Sequence, residues 1–120
     1  MATTFINYKS QNIGTTTRFM IDGTNDSGGN PTGVASLDPG KAQIMIGCMV
    51  SNNKTTSITA TVSVRNGATS TRLIKDVSIP AGDSVEVVQG KVVMVAGDEI
   101  EVSANSASAV DCVVSVLKNA

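Results

Sequence analysis

The residues able to do chemistry in this 120-residue chain are few, and their types exclude more than they suggest. Histidine is absent. Without it neither a Ser-His-Asp nor a Cys-His arrangement can form, and the commonest general base and metal ligand is missing. Cys48 and Cys112 lie far apart in strand-like segments with no partner at zinc-ligand spacing, and two ligands do not make a zinc site. The two could be bridged or reduced. A chain made in the cytoplasm keeps its thiols reduced, so both read as buried free thiols acting as small hydrophobes.

Paired carboxylates are the other route to catalysis, as in glycosidases. Asp83, Glu86, Asp98, Glu99 and Glu101 sit beside turns or on the polar faces of expected strands, where solvation accounts for them. The run Asp22, Gly23, Thr24, Asn25, Asp26 gathers oxygen ligands that could hold calcium. It lacks the alternate-position ligands and closing Glu of an EF-hand loop, and reads better as Asx-turn chemistry. Residues 33–41 end in Gly40-Lys41, but their glycines are too far apart for a phosphate loop, and Ala42 stands where Ser or Thr should hold magnesium. Asn25-Asp26-Ser27 and Asn53-Lys54-Thr55 fit the glycosylation sequon but carry little weight without a secretory signal. The chain is therefore expected not to be an enzyme and to need no metal or other cofactor.

Composition points the same way. Nine basic and ten acidic residues are spread along the chain for a net charge of −1. No basic run exists to follow a phosphate backbone, so nucleic acid is not the expected partner. The first residues have neither a basic nor an apolar stretch of the signal-peptide kind, and the longest aliphatic run, 92–96, is far short of a membrane helix. A soluble protein made in the cytoplasm is expected.

Val, Ile and Thr make up 38 of the residues, while aromatics reach only 2%: Phe5, Tyr8 and Phe19. β-branched side chains lose χ1 freedom in helices and pack well on a pleated sheet. Period-two alternation follows. Ile58, Ala60, Val62 and Val64 share one face, with Ser57, Thr59, Thr61 and Ser63 on the other. Ile44, Ile46, Cys48 and Val50 repeat the pattern, but Met45 and Met49 make the second face apolar too, so that strand should be covered on both sides. Val110, Cys112, Val114 and Val116 align at the C-terminal end, and Ile100, Val102 and Ala104 before them. Residues 51–54 read as a hairpin loop, Asn66-Gly67 as a tight type I′ turn, and Gly90-Lys91 as a turn between 85–89 and 92–95. Residues 5–9 and 15–21 could be strands; residues 22–41 form a long polar loop without periodicity.

The expectation is one all-β domain over 1–120, with residues 1–20 as an arm or edge strands. About eight strands and no substantial helix should form an antiparallel β-sandwich, jelly-roll or immunoglobulin-like. Its core should be thin, because small aliphatic side chains bury little area each.

Several stretches together resemble a family. Thr3-Thr4-Phe5-Ile6-Asn7-Tyr8-Lys9-Ser10, Ile46-Gly47-Cys48-Met49-Val50-Ser51-Asn52, and Leu73-Ile74-Lys75-Asp76 leading to Ile79-Pro80-Ala81-Gly82 are similar to small virion proteins of tailed bacteriophages, notably those infecting cyanobacteria. Gly97-Asp98-Glu99-Ile100-Glu101-Val102 and Asp111-Cys112-Val113-Val114-Ser115 continue the likeness. The resemblance implies an accessory structural protein of the particle: a capsid decoration or cement protein, or a neck or tail component. Its partners would be the major capsid protein or other virion proteins and copies of itself, a homotrimer being the closed cyclic state expected at a shell symmetry position. A fibre-tip module binding a receptor or carbohydrate is the alternative, disfavoured by the scarcity of aromatic platforms. Phe5, Tyr8 and Phe19 are the interface candidates, set either to lock subunits together or to pack in the core.

Overall fold

The computed structural model describes residues 3–20, 43–66, 69–95 and 98–119. The whole of the long loop expected over 22–41, with the Asp22–Asp26 cluster and the 33–41 segment inside it, and Gly67 lie outside them. Among the described residues the regular structure is all strand, and no helix is long and apolar enough to cross a membrane. In order these are β1 (Thr3–Ile13), β2 (Arg18–Phe19), β3 (Gln43–Asn52), β4 (Ile58–Asn66), β5 (Thr69–Ile79), β6 (Ser84–Glu86), β7 (Val92–Met94), β8 (Asp98–Ala104) and β9 (Val110–Asn119).

Two antiparallel sheets face one another across a shared core. Sheet one has the order β1-β9-β3-β6, with β7 also on β3; sheet two has the order β2-β8-β4-β5. Because β6 and β7 pair with successive parts of β3, they are halves of one interrupted edge strand. Eight strands then pair first with last, second with second-last, and so inward to the β4–β5 hairpin, as in one long hairpin rolled up on itself. That is a jelly roll. An immunoglobulin-like order is excluded, because β4–β5 is the only pair consecutive in sequence among the described strands.

The core is aliphatic. Val110, Cys112, Val114 and Val116 of β9 meet Ile58, Ala60 and Val62 of β4 and Ile100 and Val102 of β8, as alternation predicts. Met20, Met45, Met94 and Ile79 fill the ends, and no ring is fully buried among the described residues. Unbranched methionine suits the irregular gaps that valines leave. At the open side of the roll the Arg18 guanidinium donates to the buried Ser10 hydroxyl, tying β2 to β1.

Three local expectations change. Residues 51–54 do not close a hairpin; they carry the chain from sheet one to sheet two, because β3 and β4 pair in different sheets. Asn52 makes that crossing possible. Its buried side chain donates to the carbonyls of Thr56 and Ile79, each at 2.9 Å, and accepts the Lys54 N–H at 2.8 Å. Likewise Gly90-Lys91 does not reverse the chain. β6 and β7 run in the same direction along β3, and the intervening residues bulge outward at Gly90, whose φ of 111° suits glycine. Finally, β3 slips register against β9 between Met45 and Gly47. The extra residue, Ile46, turns outward, so Met45, Cys48 and Val50 point into the core in place of an unbroken Ile44, Ile46, Cys48, Val50 face.

Cys48 and Cys112 are free, buried in the core, with sulfurs 3.9 Å apart on neighbouring strands. The hydrogen bond to Cys48 and then burial push the Cys112 thiol well above its ordinary range, and the charges of Cys48 and Glu86 add to the shift. Both thiols should resist alkylation in the native protein and react once it is denatured. The contribution of Cys112 to stability should be constant below about pH 8.5 and be lost as pH rises above it, since Cys112 ionises there in the unfolded chain but keeps its proton in the folded one. Asn52→Ala should cost about 2 kcal/mol in urea unfolding, because the buried Ile79 carbonyl, the Thr56 carbonyl and the Lys54 N–H all lose their partner.

Candidate interaction surface

The two sheets present different outer faces. On sheet one the pairing register aligns side chains into rows that cross every strand. Phe5 of β1 lies opposite Leu117 of β9, Leu117 opposite Ile44 of β3, and Ile44 opposite Val93 of β7. Directly paired residues share a face, so this row is wholly apolar and points away from the core. Its ends are the most open: Phe5 is 76% exposed and Val93 63%. The bulged Ile46 adds to the row. A second row holds Asn7, Ser115 and Gly47. A third runs Lys9, Val113, Met49, Glu86, apolar in the middle with opposite charges at its two edges.

Glu86 is held in place. Its Oε2 accepts the Cys48 N–H at 2.8 Å, and its Oε1 lies 3.3 Å from where a Cβ on Gly47 would stand. Any side chain at position 47 would crowd that carboxylate. The bulge that flips β3 thus also presents an N–H to the outer face, and glycine leaves room for the acid to reach it.

Sheet two is polar outside. Thr61, Ser63, Ser70, Arg72, Glu101 and Ser103, with Thr17, surround a shallow depression of about 140 Å³. The Ser70 hydroxyl donates to Glu101 Oε1 at 2.6 Å, and Arg65 stands 3.9 Å from Glu101 Oε2. A second hollow of about 280 Å³ lies where the β1–β2 and β8–β9 connections meet, lined by Asn12, Gly14, Thr15, Thr16, Arg18, Ala107 and Ser108. Asn12 and Ser108 both adopt positive φ there, at 58° and 50°.

The carboxylates singled out in the sequence are spread over both sheets, with Asp98, Glu99 and Glu101 together on β8. Asp83 Oδ1 accepts the Ser84 N–H, Asp98 accepts from the Val95 N–H and the Asn66 amide, Glu86 lies on sheet one and Glu101 on sheet two. Among the described residues no three His, Cys, Asp or Glu side chains gather as a metal site.

Of the three aromatic interface candidates the structure places one on the open face. Phe5 begins the apolar row. Tyr8 turns the other way, half-buried against the core beside Val114, and that burial raises its phenol pKa. Phe19 pairs through its backbone with Glu101 in sheet two, and its side chain lies outside the described residues. Sequence reasoning missed Val93, Val113, Leu117 and Ile44 as surface residues. The signal was the apolar second face of β3, which asked for a cover.

Family models, curated proteins and solved structures offer no significant match to this chain.

Phe5→Ser should change stability by no more than about 0.5 kcal/mol while weakening whatever association this face supports. Tyr8→Ala should do the reverse, lowering the thermal midpoint with association intact. Calorimetry and analytical ultracentrifugation of the two variants separate these effects.

Proposed function

We propose that this is a non-enzymatic structural protein of a virion, most specifically a capsid decoration or cement protein that binds the phage head and stabilises it. The observation that carries the reading is the apolar row Phe5–Leu117–Ile44–Val93 on a small jelly roll. A monomeric protein has no use for so open a hydrophobic strip, and strips of this kind mark surfaces that another molecule covers. Jelly rolls recur in viral capsid domains, although a fold alone does not assign a function. The resemblance of several segments to accessory proteins of tailed phages agrees with it. In this reading the protein is assembled in the host cytoplasm and resides in the virion. Its partners are the major capsid protein and copies of itself, gathered about a three-fold or quasi-three-fold position of the shell.

A second reading draws on the polar depression of sheet two. Hydroxyls, an arginine and a carboxylate could hydrogen-bond a sugar, as in a carbohydrate- or receptor-binding module of a neck, tail or fibre. No aromatic residue is among its lining, so the stacking surface that sugar sites commonly use is missing. A glycan array with no hits would remove this reading.

Cryo-electron microscopy of the particle that carries the protein is the test of location. The decoration reading expects density on the outer head surface at three-fold or quasi-three-fold positions, with sheet one buried. Density confined to the neck, tail or fibres would overturn it in favour of the second reading.

A further inference from the structure

The outer face of sheet one carries its own symmetry. Consider an axis lying in the plane of that face, roughly along the strands and between β9 and β3. A two-fold rotation about it lays the face on a second copy of itself and exchanges β1 with the β6–β7 edge and β9 with β3. Every row then meets its own reverse. Phe5 covers Val93 of the other copy and Leu117 covers Ile44, so the apolar row is sealed by an identical one. Val113 covers Met49, and the small residues Ser115 and Gly47 face one another where the sheets must approach closely. At the rims Lys9 meets Glu86, twice, once at each edge.

We propose that two copies of this chain pair face to face through sheet one, with Lys9 of each opposed to Glu86 of the other. The inference rests on the reading of this face as an assembly surface and names the occupant. Charge placement selects a second copy: in the third row the cation Lys9 stands at one edge and the anion Glu86 at the same height on the other, a distribution that the two-fold makes complementary. Asp111, two residues further along β9 on this face, is already held by the Asn12 N–H and the Asn53 amide and falls opposite Ser51 of the other copy. The Glu86 carboxylate is already fixed over Gly47 by the Cys48 N–H, so little side-chain freedom is lost on that side.

Size and geometry allow it. Four strands about 4.8 Å apart and eight residues of about 3.4 Å give a flat footprint of roughly 500 Å² per copy. The pair therefore buries about 1,000 Å² before side-chain relief is added, the threshold for a specific interface. Tilting the axis about 15° from the strands sets the two sheets at about −30°, the angle at which twisted sheets pack. The assembly has an even number of copies, and a trimer about a shell three-fold is compatible only as three such pairs.

The experiment is sedimentation of the free, full-length protein and its variants, with thermal melts to check that each variant folds. Wild type should be a dimer, or a hexamer of three pairs. Val93→Asp, on an exposed edge strand, should yield monomer or trimer. Lys9→Glu alone and Glu86→Lys alone should each weaken pairing about tenfold, as two exposed charge pairs become repulsive. Mixing the two charge variants should restore it, since both opposed pairs are then of opposite sign in the mixed dimer. Damage to the fold cannot produce that rescue. Should Glu86→Lys fail to fold, because it loses the Cys48 contact, Val93→Asp and Lys9→Glu still decide. A wild-type monomer or trimer overturns the proposal, as does pairing indifferent to Val93→Asp or Lys9→Glu, or a mixture of folded charge variants that associates no better than its components. The virion reading is tested separately: a two-fold dimer that is absent from particles would defeat that reading alone.

Discussion

Pairing of β3 with β9 holds the rolled hairpin closed. The inner hairpin arms and the outer ones would otherwise be separate ribbons, and this seam, with β8·β4 in the other sheet, makes two sheets of them. Cys48 and Cys112, 64 residues apart in sequence, touch across it. Contacts of that separation must overcome loop-closure entropy before they return any stabilisation. Its single irregularity, the bulge at Ile46, has consequences on both faces. Inward, it brings Met45 into phase with Cys48 and Val50. Outward, it frees the Cys48 N–H for Glu86 and adds Ile46 to an apolar strip.

The core built on that seam is made of valines, isoleucines and methionines. Such side chains interdigitate but bury modest area each, so a small sheet of them gains more from being covered than a domain with an aromatic centre does. The two outer faces differ in the same sense. Sheet two is clothed in Ser, Thr, Arg and Glu that satisfy one another and water. Sheet one carries Phe5, Leu117, Ile44, Val93, Met49 and Val113, with Lys9 and Glu86 at its edges and Asp111 at one end of β9. One outer face is polar; the other is largely apolar and exposed. The proposed assembly role rests on that contrast.

Much of this architecture could be read from residue order. The faces of β4, β8 and β9 follow from alternation, because each is regular and buried on one side only. Sheet membership did not follow. Residues 51–54 have the composition of a hairpin loop, yet turn chemistry reports only that the chain bends, never whether the next strand joins the same sheet. The Gly90 segment departs from expectation for a related reason: glycine permits a bulge as readily as a reversal. Period counting also fails across an inserted residue, so Ile46 was assigned to the core and Met45 to the cover. For the interface, aromatic identity alone selected Phe5 and Tyr8, which stand on opposite faces of β1. Register across four strands, information that no single segment contains, is what joined Phe5 to Val93.

The central claim is that the outer face of sheet one is covered in the working protein. Hydroxyl-radical footprinting, comparing dilute dissociated protein with the assembled form, tests it most directly. Phe5 and Met49 should label readily when dissociated and be protected on assembly, while buried Met45 and Met94 stay unlabelled in both. Equal labelling of Phe5 and Met49 in the two states would contradict the account.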